Sequence, residues 1–153
     1  MIIRYLQNDS DEINLVSQWI YDEWGRESGK TLEVITEVYR ARAGSTQIPL
    51  TVVADDSGLV GTASLVVHDM QSHPELSPWV AGVFTSPGQR GRGVGEQLVK
   101  QILDEARRLG HRRCYLFTNH SESFYARRGW QVHTREVYRG KPAVVMAFQL
   151  AAG

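Results

Sequence analysis

One cysteine in 153 residues, Cys114, removes an internal disulfide framework from consideration. No apolar run is long enough to span a bilayer. The opening MIIRYLQNDSDE turns polar and acidic too soon for a signal peptide. Lysine plus arginine number 17 and aspartate plus glutamate also 17, so the formal net charge of zero gives no support to bulk nucleic-acid binding. The Walker phosphate pattern is missing, because no Gly-Lys-Ser or Gly-Lys-Thr occurs, and a G-x-G-x-x-G reading from Gly91 ends on Glu96. Repeats, linkers and low-complexity tracts are absent too. What remains reads as one cytoplasmic domain over residues 1–153, with enough apolar residues (42%) to build a core. Cys114 lies in an apolar strand and reads as a small core residue rather than a nucleophile.

The stretch from Trp79 to Leu98, WVAGVFTSPGQRGRGVGEQL, organises the chain. Trp79–Thr85 predicts a buried strand, Pro87 and Gly88 end it, and Arg90 to Gly95 leads into a helix. Gly91, Gly93 and Gly95 leave the backbone bare, so a ligand can approach its N–H groups. The helix adds its positive dipole end and its unpaired N–H groups. Strand, glycine turn and helix together make a phosphate cradle. Arg90, Gly93 and Gly95 fit the pattern [QR]-x-x-G-x-[GA]. Downstream, Thr118 to Trp130 reads TNHSESFYARRGW: a strand end, a polar loop, and a helix over Ser121–Arg128 that carries Tyr125 and closes on Gly129-Trp130.

The other elements follow from spacing. Met1–Leu6 is a first strand. Asn8, Asp9, Ser10 and Asp11 offer helix caps. Ile13, Val16, Ile20 and Trp24 predict a helix from Ser10 to Trp24, broken by Gly25 and Gly29. Leu32, Ile35, Val38 and Tyr39 mark a second, from Thr31 to Ala43. Leu50–Asp55 and Leu59–His68 form a hairpin around Asp55-Asp56-Ser57-Gly58, and Asp69–Ser77 is a polar loop. Val94, Leu98, Ile102, Ala106 and Leu109 give a long apolar stripe ended by Gly110. Arg113–Thr118 is a strand. Gln131–Val137 and Ala143–Leu150 form a closing hairpin around Arg139-Gly140-Lys141, with Pro142 at a strand start or edge. The tail, residues 151–153, is expected to fray.

The two motifs, in this order and spacing, resemble the GNAT superfamily of N-acetyltransferases over nearly the whole chain. The resemblance implies an α/β fold: a central mixed, mostly antiparallel sheet with flanking helices. In it the parallel strands ending near Thr85 and Thr118 splay apart. The pantetheine arm of acetyl-CoA would fill that gap, pairing with groups at Val83, Phe84 and Thr85. Gly82 fits a bulge there, with a packing glycine as the alternative. The backbone from Gly91 through Arg92, Gly93, Val94 and Gly95 to Glu96 would hold the pyrophosphate, with charge from Arg90 and Arg92. The family often has Asn where this chain has Thr118; Thr118, Asn119 or Ser121 is the candidate to replace it. Trp19, Trp24 and Tyr39 are candidates for an acceptor pocket, or simply helix residues packed on the sheet.

The implied reaction moves an acetyl group from acetyl-CoA to a primary amine. A backbone N–H near Val83 suits the oxyanion. Tyr125 is the implied acid for the departing thiolate, with Phe124 assigned to the core. A lysine amine with pKa about 10.4 costs about 4 kcal/mol to deprotonate near neutrality, whereas a peptide N-terminal amine near 7.7–8.0 costs well under about 1. Trp79–Thr85 holds no carboxylate. The base is therefore sought at His68, Asp69, His73 or Glu75, or in a water. His68, Asp69 and His73 are too loosely spaced for a metal set, so no metal is expected. The expected partner is an amine acceptor, small molecule or peptide N-terminus, with neither nucleic acid nor membrane, for a monomer or homodimer. Rival readings are an acyl-CoA-binding sensor without turnover and a nucleotide-binding α/β domain selecting NAD or ATP.

Overall fold

A computed structural model describes residues 1–151; Ala152 and Gly153, most of the tail expected to fray, lie outside the described residues. Seven strands form one sheet in the order β1-β2-β3-β4-β5-β7-β6. In chain order these are β1 (Ile2–Tyr5), β2 (Leu50–Asp55), β3 (Leu59–Val66), β4 (Trp79–Thr85), β5 (Arg113–Thr118), β6 (Gln131–Tyr138) and β7 (Lys141–Gln149). Every neighbouring pair is antiparallel except β4 with β5. The helices are α1 (Ser10–Ile20), α2 (Arg26–Ser28), α3 (Leu32–Arg42), α4 (Val94–Arg108) and α5 (Glu122–Ala126).

Alternation along the strands sorts two faces. Val52, Val80, Cys114, Leu116 and Met146 turn to one side, where the apolar stripe of α4 covers them. Leu98 and Ile102 are fully buried there, each worth about 1.5–3 kcal/mol of transfer free energy. Cys114 is buried in this layer, and burial pushes its thiol up to about 12, so it stays an inert core residue. On the other face Val53 meets α1 and α3 through Ile13, Val16, Ile35 and Tyr39. Further along that face Trp79, Tyr115 and Val145 are covered by the 69–77 loop through Met70 and Leu76.

Helix starts obey local chemistry. The Asp9 carboxylate accepts from the N–H groups of Asp11 and Glu12, and the Thr31 hydroxyl oxygen from Val34 N–H at 3.2 Å. One expected break does not occur. Gly25 keeps helical φ and ψ, and the first helix runs on through a π-turn over Tyr21–Gly25 into α2, ending at the left-handed Gly29. A Cβ on Gly25 would sit 2.7 Å from Tyr21 Cδ1 and 2.9 Å from Ile35 Cδ1. Gly25 thus serves the close approach of α3, not a stop. The α5 helix is also shorter than the expected Ser121–Arg128.

Candidate active site

The parallel pair barely pairs. Trp79 opposes Tyr115, the Tyr115 N–H reaches the Pro78 carbonyl at 3.0 Å, and beyond that point the strands part. On its other side β4 carries one extra residue against β3: Thr62 opposes Phe84, but Ser64 opposes Ala81. The surplus is a bulge at Gly82, whose φ of 59 is left-handed. The bulge resets the alternation. Val83 turns to the α4 side, and Phe84 turns to the other, where its ring lies 5.3 Å from that of Trp19.

After β4 the chain makes a 3-10 turn over Pro87–Gln89 and enters α4 from Gly93, whose φ is 79. No side chain caps this helix. The first amide with an intrahelical partner is Gln97 N–H, bonded to the Gly93 carbonyl at 3.1 Å. The N–H groups of Val94, Gly95 and Glu96 therefore point out of the helix end. A Cβ at Gly91 or Gly93 would meet nothing within 4 Å, so the ground before those N–H groups is open. The two arginines hold the turn itself: Arg90 Nε donates to the Thr85 carbonyl at 3.1 Å, and Arg92 Nη1 to Gln89 Oε1 at 2.7 Å.

Across the gap, Thr118 Oγ1 accepts from Ser121 N–H at 2.9 Å and so starts α5. Asn119 Nδ2 donates to the Pro142 carbonyl at 2.8 Å, tying the loop to β7. The Ser121 side chain makes no cap bond and stays exposed. Tyr125 is half-buried against the main core, its ring 5.9 Å from Trp130. Burial raises its phenol above the usual value, against the pull of Arg128. Phe124 was expected in the core and is not: its ring lies under the Arg128 guanidinium at 3.7 Å. On so short a helix only one of two adjacent rings can face the sheet, and the Tyr takes that place. A cavity of ≈ 390 Å³ opens between α4 and α5, lined by Val99, Leu103, Tyr125, Arg128 and Trp130 among others.

The opposite face is built by long-range contacts that spacing does not announce. Tyr39 is buried at 3% exposure, and a Cβ on Gly82 would lie 2.9 Å from its hydroxyl oxygen. Its neighbour Arg42 stacks on the Tyr39 ring at 4.9 Å and donates to Ser64 Oγ at 3.3 Å. Asp69 stands beside this group. It makes no hydrogen bond or ion pair among the described residues, and burial pushes it up to about 6 while Arg42, Lys30 and Arg139 pull it down. The other base candidates are engaged or remote. His73 is held by Glu136 at 2.5 Å and Glu75 at 2.9 Å; the bond to Glu136 raises the imidazole. His68 is exposed. Trp24 is 39% exposed and takes no part in either core.

The model of the acetyltransferase (GNAT) domain matches residues 47–132, more than half of the chain. The chain belongs to the GNAT family. Among solved structures, the GNAT chain here is similar to an aminoglycoside 6'-N-acetyltransferase complexed with coenzyme A (17% identity, TM-score 0.78, covering 100% of this chain and 99% of that one). It is also similar to yncA from Salmonella typhimurium, solved with its cofactor acetyl-CoA (18%, TM-score 0.74, 100% and 95%). A third likeness is to the ribosomal-protein-alanine N-acetyltransferase from Brucella melitensis (15%, TM-score 0.74, 97% and 99%). At these identities the likeness is one of fold. No curated protein matches the chain.

Proposed function

We propose that the chain, read as one cytoplasmic domain, transfers the acetyl group of acetyl-CoA to a primary amine by direct attack in a ternary complex. The splay of β4 from β5 carries this reading. It leaves β4 backbone groups without a strand partner, and buried peptide groups require partners. The pantetheine arm is a chain of amides of suitable length to supply them at Val83, Phe84 and Thr85. The uncapped N–H groups of α4 and the open ground at Gly91 and Gly93 suit the pyrophosphate. Arg90 and Arg92 act by shaping that turn as well as by their charge.

Acetyl-CoA supplies the acyl group as a thioester. The chain's own groups divide the remaining work. A backbone N–H near the bulge at Val83 receives the carbonyl oxygen as it gains charge. Tyr125, kept protonated by its raised pKa, donates its proton to the departing thiolate. That help is worth roughly 10²–10⁴-fold. Asp69, whose carboxyl titrates near 6, is mostly ionised at pH 7 and takes the proton of the incoming amine, directly or through water. An acid titrating near the working pH is suited to this exchange.

Titration calorimetry with acetyl-CoA, repeated with CoA, NAD and ATP, tests the cofactor. Selective micromolar binding of the CoA compounds is expected, followed by thiol release with amines. Binding without release for any amine would favour a sensor. Selective NAD or ATP binding, or no binding, would end the reading.

A further inference from the structure

Several cations in this chain sit in ion pairs. Arg4 meets Glu12 and Asp55, Arg107 meets Asp104, Arg108 meets Glu105, Arg128 meets Glu96, and Arg135 meets Glu122. The acceptor face of the bulge gathers three cations that stand outside such pairs. Arg42 comes from α3, Lys30 from the link before α3, and Arg139 from the β6–β7 turn. All three act by charge on Asp69, and none has a carboxylate in ion-pair contact among the described residues. The turn and the α2 end are brought together by Lys141, whose Nζ lies 2.7 Å from Glu27. The 69–77 loop is tied to the same hairpin, Gln71 N–H donating to the Tyr138 hydroxyl at 3.2 Å. Arg139 stands over the Tyr138 ring at 5.1 Å. Three cations around one carboxylate leave a surplus of two positive charges at the place where the amine must arrive.

A single arginine would suffice to balance Asp69. The surplus repels a polycation and attracts an anion. From it we propose that the acceptor carries an anionic group, a carboxylate or its equivalent, within a few bonds of its primary amine. The amine faces Asp69 at the bulge, and the anion faces Arg42, Lys30 and Arg139. Guanidinium groups match a carboxylate with two parallel hydrogen bonds. A free amino acid and a peptide N-terminus followed by an acidic residue share this chemistry. The inference rests on the acetyl-transfer reading above and names the acceptor class for that same site.

The test measures acetyl-CoA-dependent thiol release with matched acceptors: amino acids against their carboxamides, dipeptides with Asp or Glu second against Asn or Gln second, and a polyamine. Charge-assisted hydrogen bonds to the anion should make kcat/KM at least about tenfold higher for the acidic member of a pair. Whichever pair shows the gap separates free amino acid from peptide. In Arg139→Gln and Lys30→Gln, both at exposed positions, the preference ratio should fall toward one. Equal rates within the pairs, a faster polyamine, or an unchanged ratio in both variants would overturn the inference. So would acetyl-CoA binding with no turnover of any acidic amine. Failure to bind acetyl-CoA at all would instead strike the acetyl-transfer reading itself.

Discussion

Replacing Asp69 by Asn probes the face proposed for the acceptor without any knowledge of the acceptor. Burial lifts this carboxyl from its ordinary 3.8 to about 6, against Arg42 from α3, Lys30 before it and Arg139 from the β6–β7 turn. The Tyr39 hydroxyl faces it as well. A carboxyl whose pKa rises on folding holds its proton more tightly in the native state. Its contribution to stability is therefore most favourable below pH 3.8 and is lost as the pH climbs through 6. The gap of about 2.2 at about 1.36 kcal/mol per pH unit makes the charged carboxylate cost about 3 kcal/mol at pH 8, and roughly half that at pH 5. These are upper limits, since Asp69 keeps some contact with water. The Asp69→Asn variant carries no such charge. It should exceed the parent in urea titrations by up to about 3 kcal/mol at pH 8 and by clearly less at pH 5, while acetyl transfer falls roughly 10²-fold or more. Stability differences that stay parallel from pH 5 to pH 8 would refute the strained carboxylate. Stabilisation with transfer intact would refute its role as base.

Gly93→Asp places a side chain and a negative charge in the open ground before α4, at a left-handed φ of 79; acetyl-CoA binding should vanish by calorimetry, and a normal dissociation constant would remove the cradle from the site. Tyr125→Phe should cut turnover roughly 10²-fold or more with acetyl-CoA affinity nearly intact; unchanged turnover would mean that another group protonates the thiolate. Gly82→Ala combines a left-handed residue, about 1–2 kcal/mol, with a contact 2.9 Å from the Tyr39 hydroxyl. A loss of about 2–3 kcal/mol in urea is expected, partly recovered when Tyr39→Phe is added; a loss below about 1 kcal/mol would show that the bulge relaxes freely.

Local and short-range features were legible in the residues themselves. The apolar stripe of α4, a cap among Asn8 to Asp11 (it falls on Asp9), and the turn at Arg139-Gly140 depend on neighbours within a few positions. The strand, glycine turn and helix were legible in contiguous residues and the splay was implied by the family resemblance; the structure has these elements and the parting strands. Gly25 misled because a glycine that admits a neighbouring helix looks, in sequence, like one that ends its own. Phe124 misled because two adjacent aromatics on five residues of helix carry too little periodicity to say which one faces the sheet. Thr118 bonds to the start of α5 and Asn119 to the Pro142 carbonyl on β7, and no spacing rule anticipates the second.

The sequence by itself determined the family, the order of elements and the strand-turn-helix that leaves N–H groups unpaired at the start of α4, because the motifs behind each are written in contiguous residues. Only the tertiary structure decided the face proposed for the acceptor. Tyr39 and Arg42 lie on α3, Asp69 in the 69–77 loop, Gly82 on β4 and Arg139 in the β6–β7 turn, and these four segments meet only when the loop and the last hairpin fold over the same sheet face. The pKa of Asp69 has the same origin. It depends on burial and on distant cations, quantities that exist only once the chain has closed around them.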